Sequence, residues 1–303
     1  MTPKFRALPA DAGVGAAAAS PPHSLQSQLN LPRNNGSHLS LQNLTCRSTA
    51  ILLPPQPEQW NAMSDFADLR ALFINTSLTR KPENSHTGLL LDASAAIMKK
   101  NGVAVEHLHF VSHDCPPGIY PDMTEHGWPK DEWPAIWEKV KAADILIVGT
   151  PIWLGEESSV CRILIERLYA MSGELNTRGQ SIYYNKVGGA VITGNEDGVK
   201  HVAMTIAFAL NHLGYTIPPQ ADCGWIGEAG PGASYGDEKD DGSRTGFDND
   251  FTQRNTTIMT WNCMHLAKML KAAGGIPNRG NDRNAWQAGE RFGFENPPQK
   301  TGS

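Results

Sequence analysis

Two segments of this 303-residue chain carry side chains and backbone in patterns that suit a ligand. The first is Asn75-Thr76-Ser77-Leu78-Thr79-Arg80-Lys81-Pro82-Glu83-Asn84-Ser85-His86-Thr87, set directly before a stretch with helical spacing. Hydroxyls, free backbone N–H groups and a helix N-terminus together make an anion site. Thr76, Ser77, Thr79, Arg80, Asn84, Ser85, His86 and Thr87 are its candidate residues. Taken alone, a solvated loop with Asn84 or Ser85 as helix cap explains the segment equally well. The second is Thr150-Pro151-Ile152-Trp153-Leu154-Gly155. Pro151 and Gly155 restrict this short loop, which leaves its amides to face a flat polar ligand. Apolar Ile152, Trp153 and Leu154 favour a binding surface over a plain connection.

The surrounding pattern says how such loops are positioned. Ala71–Ile74, Val103–His109, Asp144–Gly149, Lys186–Thr193 and a run starting at Tyr215 read as strands. Between them lie helical patterns: Leu89, Leu90, Ala93, Ala96 and Ile97; about 132–142; Val160, Ile163, Leu164, Leu168 and Met171; Val199, Val202, Ala203, Ile206, Leu210 and Leu213. Glu156 and Glu157 sit where a helix N-terminus favours negative charge, with Ser158 or Ser159 as caps. A last helix of about 255–271 carries Met259, Cys263, Leu266 and Leu270, with Asn255 as its cap. Alternating strands and helices predict an α/β fold, a doubly wound five-stranded parallel sheet with helices on both faces. The first, third and fourth strands are the most continuously apolar, hence central, which gives the order 2-1-3-4-5. Its topological switch lies between strands 1 and 3, where the two loops emerge. Thr193, Gly194 and Asn195, after the fourth strand, share that edge.

Neither loop is a P-loop or a dinucleotide fingerprint, since Gly-x-x-x-x-Gly-Lys and Gly-x-Gly-x-x-Gly are both missing. A receiver-type signalling domain needs an acidic cluster at the ends of strands 1 and 3, where this chain has Asn75, Thr76, Gly149 and Thr150. A phosphate at 75–87 and a planar ring against Pro151–Gly155 describe FMN.

At these same residues the chain resembles the flavodoxin-like NAD(P)H-dependent FMN reductases, and among them the multimeric flavodoxin-type oxidoreductases. Thr76–Arg80 with Asn84–Thr87 is similar to the family's phosphate loop, and Gly149–Gly155 to its ring loop. Thr193–Asn195 sits at its third flavin loop, and the likeness covers about Asp65 to Lys271. The departures are Asn75-Thr76 in place of the usual glycine before the serine, a longer phosphate loop, and Trp153 in place of tyrosine. The resemblance implies FMN as cofactor, with Thr76, Ser77, Thr79, Arg80, Asn84, Ser85, His86, Thr87, Pro151, Ile152, Trp153, Leu154, Gly155, Thr193, Gly194 and Asn195 around it. It implies NADH or NADPH as donor, a quinone or similar small acceptor, and no catalytic side chain, because the flavin carries the chemistry. Amides near Leu154–Gly155 and Gly194–Asn195 then face the ring. The rival is a flavodoxin-type electron carrier without its own nicotinamide site. A homo-oligomer, dimer or tetramer, is expected to close the site.

The formal net charge of −5 carries no basic excess for nucleic acid. No apolar run reaches the ~20 residues that span a bilayer. Five dispersed cysteines without C-x-x-C suit a reducing, cytoplasmic compartment, as small buried hydrophobes. His107, His109, His113 and His126 read as solvated rather than metal-binding, and no metal is expected. Trp128, Trp133 and Trp137 are expected to pack down the long 110–131 loop, and Gly227–Gly232 to form a flexible cover or subunit contact. Residues 1–62, of low complexity, read as a disordered extension; 63–275 as the FMN-binding domain; 276–303 as an irregular tail.

Overall fold

A computed structural model describes residues 65–230 and 232–297 of the chain. The expected extension, 1–62, lies outside the described residues. Strands β1 (Arg70–Asn75), β2 (Ala104–His109), β3 (Ile145–Trp153), β5 (Val187–Asn195) and β6 (Asp222–Gly227) form a parallel sheet in the order β2-β1-β3-β5-β6. This is the predicted order 2-1-3-4-5, the flavodoxin-type winding. A sixth strand, β4 (Glu156–Glu157), pairs antiparallel with the end of β3.

Helices cover both faces because successive side chains of a strand alternate. On β3, Leu146 and Val148 join the core under α2 (Trp133–Ala142), α3 (Ser159–Ala170) and α4 (Val199–Leu213). Ile145 and Ile147 join the opposite core under α1 (His86–Lys100) and α5 (Asp250–Ala272).

Several local expectations shift. The buried stripe of α1 is Leu90, Leu91, Ser94, Ala95 and Met98, one position along from the predicted one. The reason is Ser94, a polar residue within the stripe that is hydrogen-bonded at 2.6 Å to Thr260 of α5. Helix α5 begins five residues earlier than expected and is capped by Asn249, which accepts from the Thr252 N–H, rather than by Asn255. Its buried face carries Thr252, Thr256 and Thr260, whose hydroxyls bond within the helix or to Gly224, so apolar spacing understated its length. Thr216 makes only an isolated bridge to Val187, and the last strand starts at Asp222, beyond Pro218 and Pro219. The tail carries a short helix, α6 (Arg283–Gln287), capped by Asp282. Of the three tryptophans, Trp133 and Trp137 are buried, whereas Trp128 is exposed.

Gly149 lets α1 approach the sheet at the switch point. A Cβ there would lie 2.4 Å from the Leu91 Cδ1. Gly149→Val is expected to destabilise the fold by about 1–3 kcal/mol through overpacking. Urea unfolding checks this, and a change under 0.5 kcal/mol would contradict the close packing.

Candidate functional site

The carboxyl ends of β1, β3 and β5 enclose a cavity of about 580 Å³. That is the size range of sites for small organic cofactors. Of the residues singled out in the sequence, Ser77, Thr79, Asn84, Ser85, His86 and Thr87 line one end. Pro151, Ile152, Trp153, Leu154, Gly155, Thr193, Gly194 and Asn195 line the rest.

Thr76 and Arg80 are not on its wall. Thr76 is fully buried: its Oγ1 donates to the Gly149 carbonyl at 2.7 Å, and its own carbonyl accepts from Ser158 Oγ at 2.7 Å. It ties the first loop to the cap of α3. Arg80 is exposed and lines a neighbouring cavity with Phe110, His113 and Trp128.

At the first end the chain presents hydrogen-bond donors. Ser85 caps α1, accepting from the Gly88 N–H at 3.0 Å, and is held by Asn75 Nδ2 at 2.9 Å. The N–H groups of Leu78, Thr79, Arg80, His86 and Thr87 make no hydrogen bond to other described residues. Free donors at a helix N-terminus are the chemistry of a phosphate site. Thr87 and Thr193 hydroxyls meet at 2.7 Å, fixing the first turn of α1 to the end of β5.

The second segment is not the expected loop. Strand β3 runs on through Trp153, pairs with Glu156 of β4, and turns at Leu154 and Gly155. Both turn residues have positive φ, 53° and 79°, as a two-residue hairpin of matching twist requires. The hairpin leaves Leu154 fully exposed, Trp153 more than half exposed, and the Leu154 and Gly155 amides without an internal partner. Glu157, expected to favour the α3 terminus, is instead a buried strand residue paired with Arg162. Ser158 is the α3 cap.

Strand β5 likewise extends through Asn195, so its turn begins at Glu196, with φ 82°. The Glu196 N–H donates to Gly227, and Asn195 Nδ2 donates to the Glu228 carbonyl at 3.0 Å. These bonds draw the glycine-rich stretch after β6 over the cavity, where Gly230, Gly232, Ser234 and Tyr235 line it beside Trp225. Leu78, Glu196, Asp197, Trp225 and these four are wall residues outside the sixteen candidates, although Gly230 and Gly232 fall in the stretch expected to form a cover. The available signal was position: the stretch follows a strand ending at the same sheet edge.

Among the described residues no group of three or more His, Cys, Asp or Glu is placed to hold a metal ion. His109 meets Ser112, and His113 meets Glu132 at 2.7 Å. The four described cysteines are free, and three are buried.

Comparison with known proteins agrees with this geometry. Residues 69–224 match the NADPH-dependent FMN reductase family. The 8-demethyl-8-aminoriboflavin-5'-phosphate synthase of Streptomyces davaonensis is 36% identical over 208 residues, 67% of this chain and 79% of that protein. The crystal structure of RosB with bound 8-demethyl-8-formylriboflavin-5'-phosphate superposes with a TM-score of 0.64 at 32% identity, covering 77% of this chain and 92% of RosB. The divalent metal cation transporter MntH of Mycobacterium bovis is 59% identical over 207 residues, 68% of this chain, but the chain spans only 30% of that protein. No helix among the described residues is long and apolar enough to cross a membrane.

The chain therefore belongs to the family of NADPH-dependent FMN reductases, FMN-binding flavoproteins with a flavodoxin-type sheet. The residues present fit FMN: unpartnered amides at the α1 N-terminus suit its phosphate, and the hairpin with Trp153 suits its ring.

Proposed function

We propose that this protein is an FMN-dependent oxidoreductase that accepts reducing equivalents from NADH or NADPH and passes them to a quinone or similar small acceptor. The observation that carries this reading is one cavity with phosphate-type donors at one end and an apolar, amide-bearing hairpin at the other. FMN, when bound, supplies the redox chemistry. The protein binds and orients. The backbone amides of Leu78, Thr79, His86 and Thr87, with the Thr79 hydroxyl and the Asn84 side-chain amide, would hold the phosphate. Pro151, Ile152 and Trp153 would flank the ring, and the Leu154 and Gly155 amides would be left to meet its polar edge. Fixed donors at that edge would favour negative charge on a reduced ring. Gly232, Ser234 and Tyr235 exclude water from the covered side.

A second reading has one specific support: a relative 36% identical, matched over 79% of its own length, is named as a synthase of a flavin phosphate. In that reading FMN is the substrate. One experiment separates the readings, namely steady-state oxidation of NADH and NADPH by the FMN-loaded protein with a soluble quinone, followed by mass analysis of the recovered flavin. Turnover with unchanged flavin supports the oxidoreductase. A flavin of altered mass supports the second reading. Neither result leaves the electron carrier.

Homo-oligomerisation, as dimer or tetramer, is part of the proposal. Ile119, Tyr169, Met204 and Phe208 are exposed, and together they line an apolar groove across α3 and α4. Contiguous apolar surface of this kind marks an association site. Sedimentation showing only monomer at micromolar concentration would contradict it. A cytoplasmic location, from the free thiols, belongs to the same proposal.

A further inference from the structure

Among the described residues, the wall of the cavity holds no lysine or arginine. Of the residues that line it, His86 alone has a side chain able to carry positive charge, while Glu196 and Asp197 are its acidic members. His86 is the first residue of α1, beside the unpartnered amides. Its ring is already committed on one side. Nδ1 lies 2.8 Å from the Tyr235 carbonyl, which can only accept, so Nδ1 carries hydrogen. The Asp237 carboxylate stands 3.7 Å from the same nitrogen. Nε2 has no partner among the described residues and is the nitrogen left for a ligand.

We propose that His86 is the residue that makes the site selective for phosphorylated flavin over riboflavin, and that it couples the phosphate to the seating of segment 232–249 on α1. The proposal rests on the reading that FMN occupies this cavity. A phosphate monoester beside Nε2 binds together with a proton taken from solvent or from the monoanionic phosphate itself, so that both N–H groups donate: Nε2 to the phosphate, Nδ1 to Tyr235. Asp237 balances the charge from behind. Amides and hydroxyls alone accept many polar groups, whereas a cation in the same cluster adds a charge-assisted bond that riboflavin has no group to meet.

The same ring anchors the covering segment. Besides the Tyr235 carbonyl, Gly236 sits so close to the first turn of α1 that a Cβ there would lie 2.3 Å from Leu89 Cδ1. Tyr235 continues into an aromatic cluster, with ring centroids 5.8 Å from Trp225 and 5.2 Å from Phe247. Phosphate bound at Nε2 therefore strengthens the hydrogen bond that holds Tyr235 against the cavity.

The test is the ratio of FMN to riboflavin affinity, measured by quenching of flavin fluorescence on titration with the full chain. Asparagine places an amide near the position of Nδ1 and leaves nothing at Nε2; glutamine places a neutral donor near Nε2. For His86→Asn the ratio is expected to fall about ten- to a hundredfold, with riboflavin affinity held within about twofold. For His86→Gln it is expected to fall less. Unchanged riboflavin binding shows that the variant site is folded; if the asparagine variant does not fold, the glutamine variant alone must still show a lowered ratio. Equal ratios in all three proteins, or parallel loss of both flavins, would overturn the proposal. Failure of the unsubstituted protein to bind either flavin would overturn the FMN reading itself, and that result appears before any substitution is made.

Discussion

Replacing Asp131 with asparagine is expected to destabilise the fold by about 3–5 kcal/mol, the effect of stranding one member of a buried ion pair. The side chains of Arg167 of α3 and Asp131 are both inaccessible to solvent and bonded to each other. The guanidinium also donates to the Pro121 carbonyl at 3.2 Å and lies 5.7 Å over the Trp133 ring. Its Nε and Nη1 have no partner among the described residues, so little compensates for a lost carboxylate. Asp131 in turn accepts from the Met123 and Trp133 N–H groups, each at 2.9 Å. The pair thus pins the long loop between β2 and α2 to the core. The double substitution Asp131→Leu with Arg167→Met removes both charges and is expected to recover most of the loss, because a buried pair rarely outperforms apolar packing. Urea unfolding of the single and double variants measures this. A loss under 1 kcal/mol in Asp131→Asn would show that water reaches the guanidinium.

Alkali is expected to unfold this protein well below the pH at which exposed groups alone would do so. Burial pushes the thiols of Cys161, Cys223 and Cys263 up to about 12 from 9.0. Between those values the unfolded chain has released its thiol protons while the folded chain still holds them. The folded state then binds more protons, so stability falls as pH rises from about 9 towards 12, by up to ~4 kcal/mol for each thiol. The phenols of Tyr183 and Tyr215, raised by burial, add to this above pH 10. Lys186 acts in the opposite sense. Burial lowers its ammonium to about 8 from 10.5, although Nζ donates to the Lys141 and Ala143 carbonyls. Here the unfolded chain binds the extra proton between 8 and 10.5, and stability rises with pH. The Cys115 thiol is pushed up to about 12 and the Tyr235 phenol is raised as well, both by burial, so one amine against four thiols and three phenols leaves a net loss above pH 9. Circular dichroism across pH 7–12 reads the transition, and Cys263→Ala is expected to move its midpoint upward. A fold unaffected to pH 12 would contradict buried, protonated thiols.

The sheet was legible in the sequence because a buried parallel strand leaves a continuous apolar run, as Asp144–Gly149 and Val187–Ile192 do. The order followed from which runs were most apolar. Fourteen of the sixteen candidate site residues line one cavity for the same reason: they follow strands that end at one edge. What was not legible depended on pairing between distant residues. Nothing local distinguishes a βα loop from the β3–β4 hairpin, whose Leu154 takes a positive φ that glycine usually supplies. The Thr76 hydroxyl reads as a ligand group in the sequence, whereas in the fold it is spent on the Gly149 carbonyl. Tyr235 lies 149 residues from His86, and only the folded chain brings them together. The hydroxyl-lined stripe of α5 broke the apolar spacing that marks a helix face, because its threonines satisfy themselves on backbone carbonyls.

The decisive measurement is an anaerobic titration of the FMN-loaded protein with NADPH and then NADH, followed by visible absorbance. The expected result is stoichiometric FMN binding and full bleaching of the flavin bands with at least one nicotinamide. FMN that binds but stays oxidised with both would contradict a nicotinamide-dependent reductase, and FMN that does not bind would contradict the assignment of the cavity.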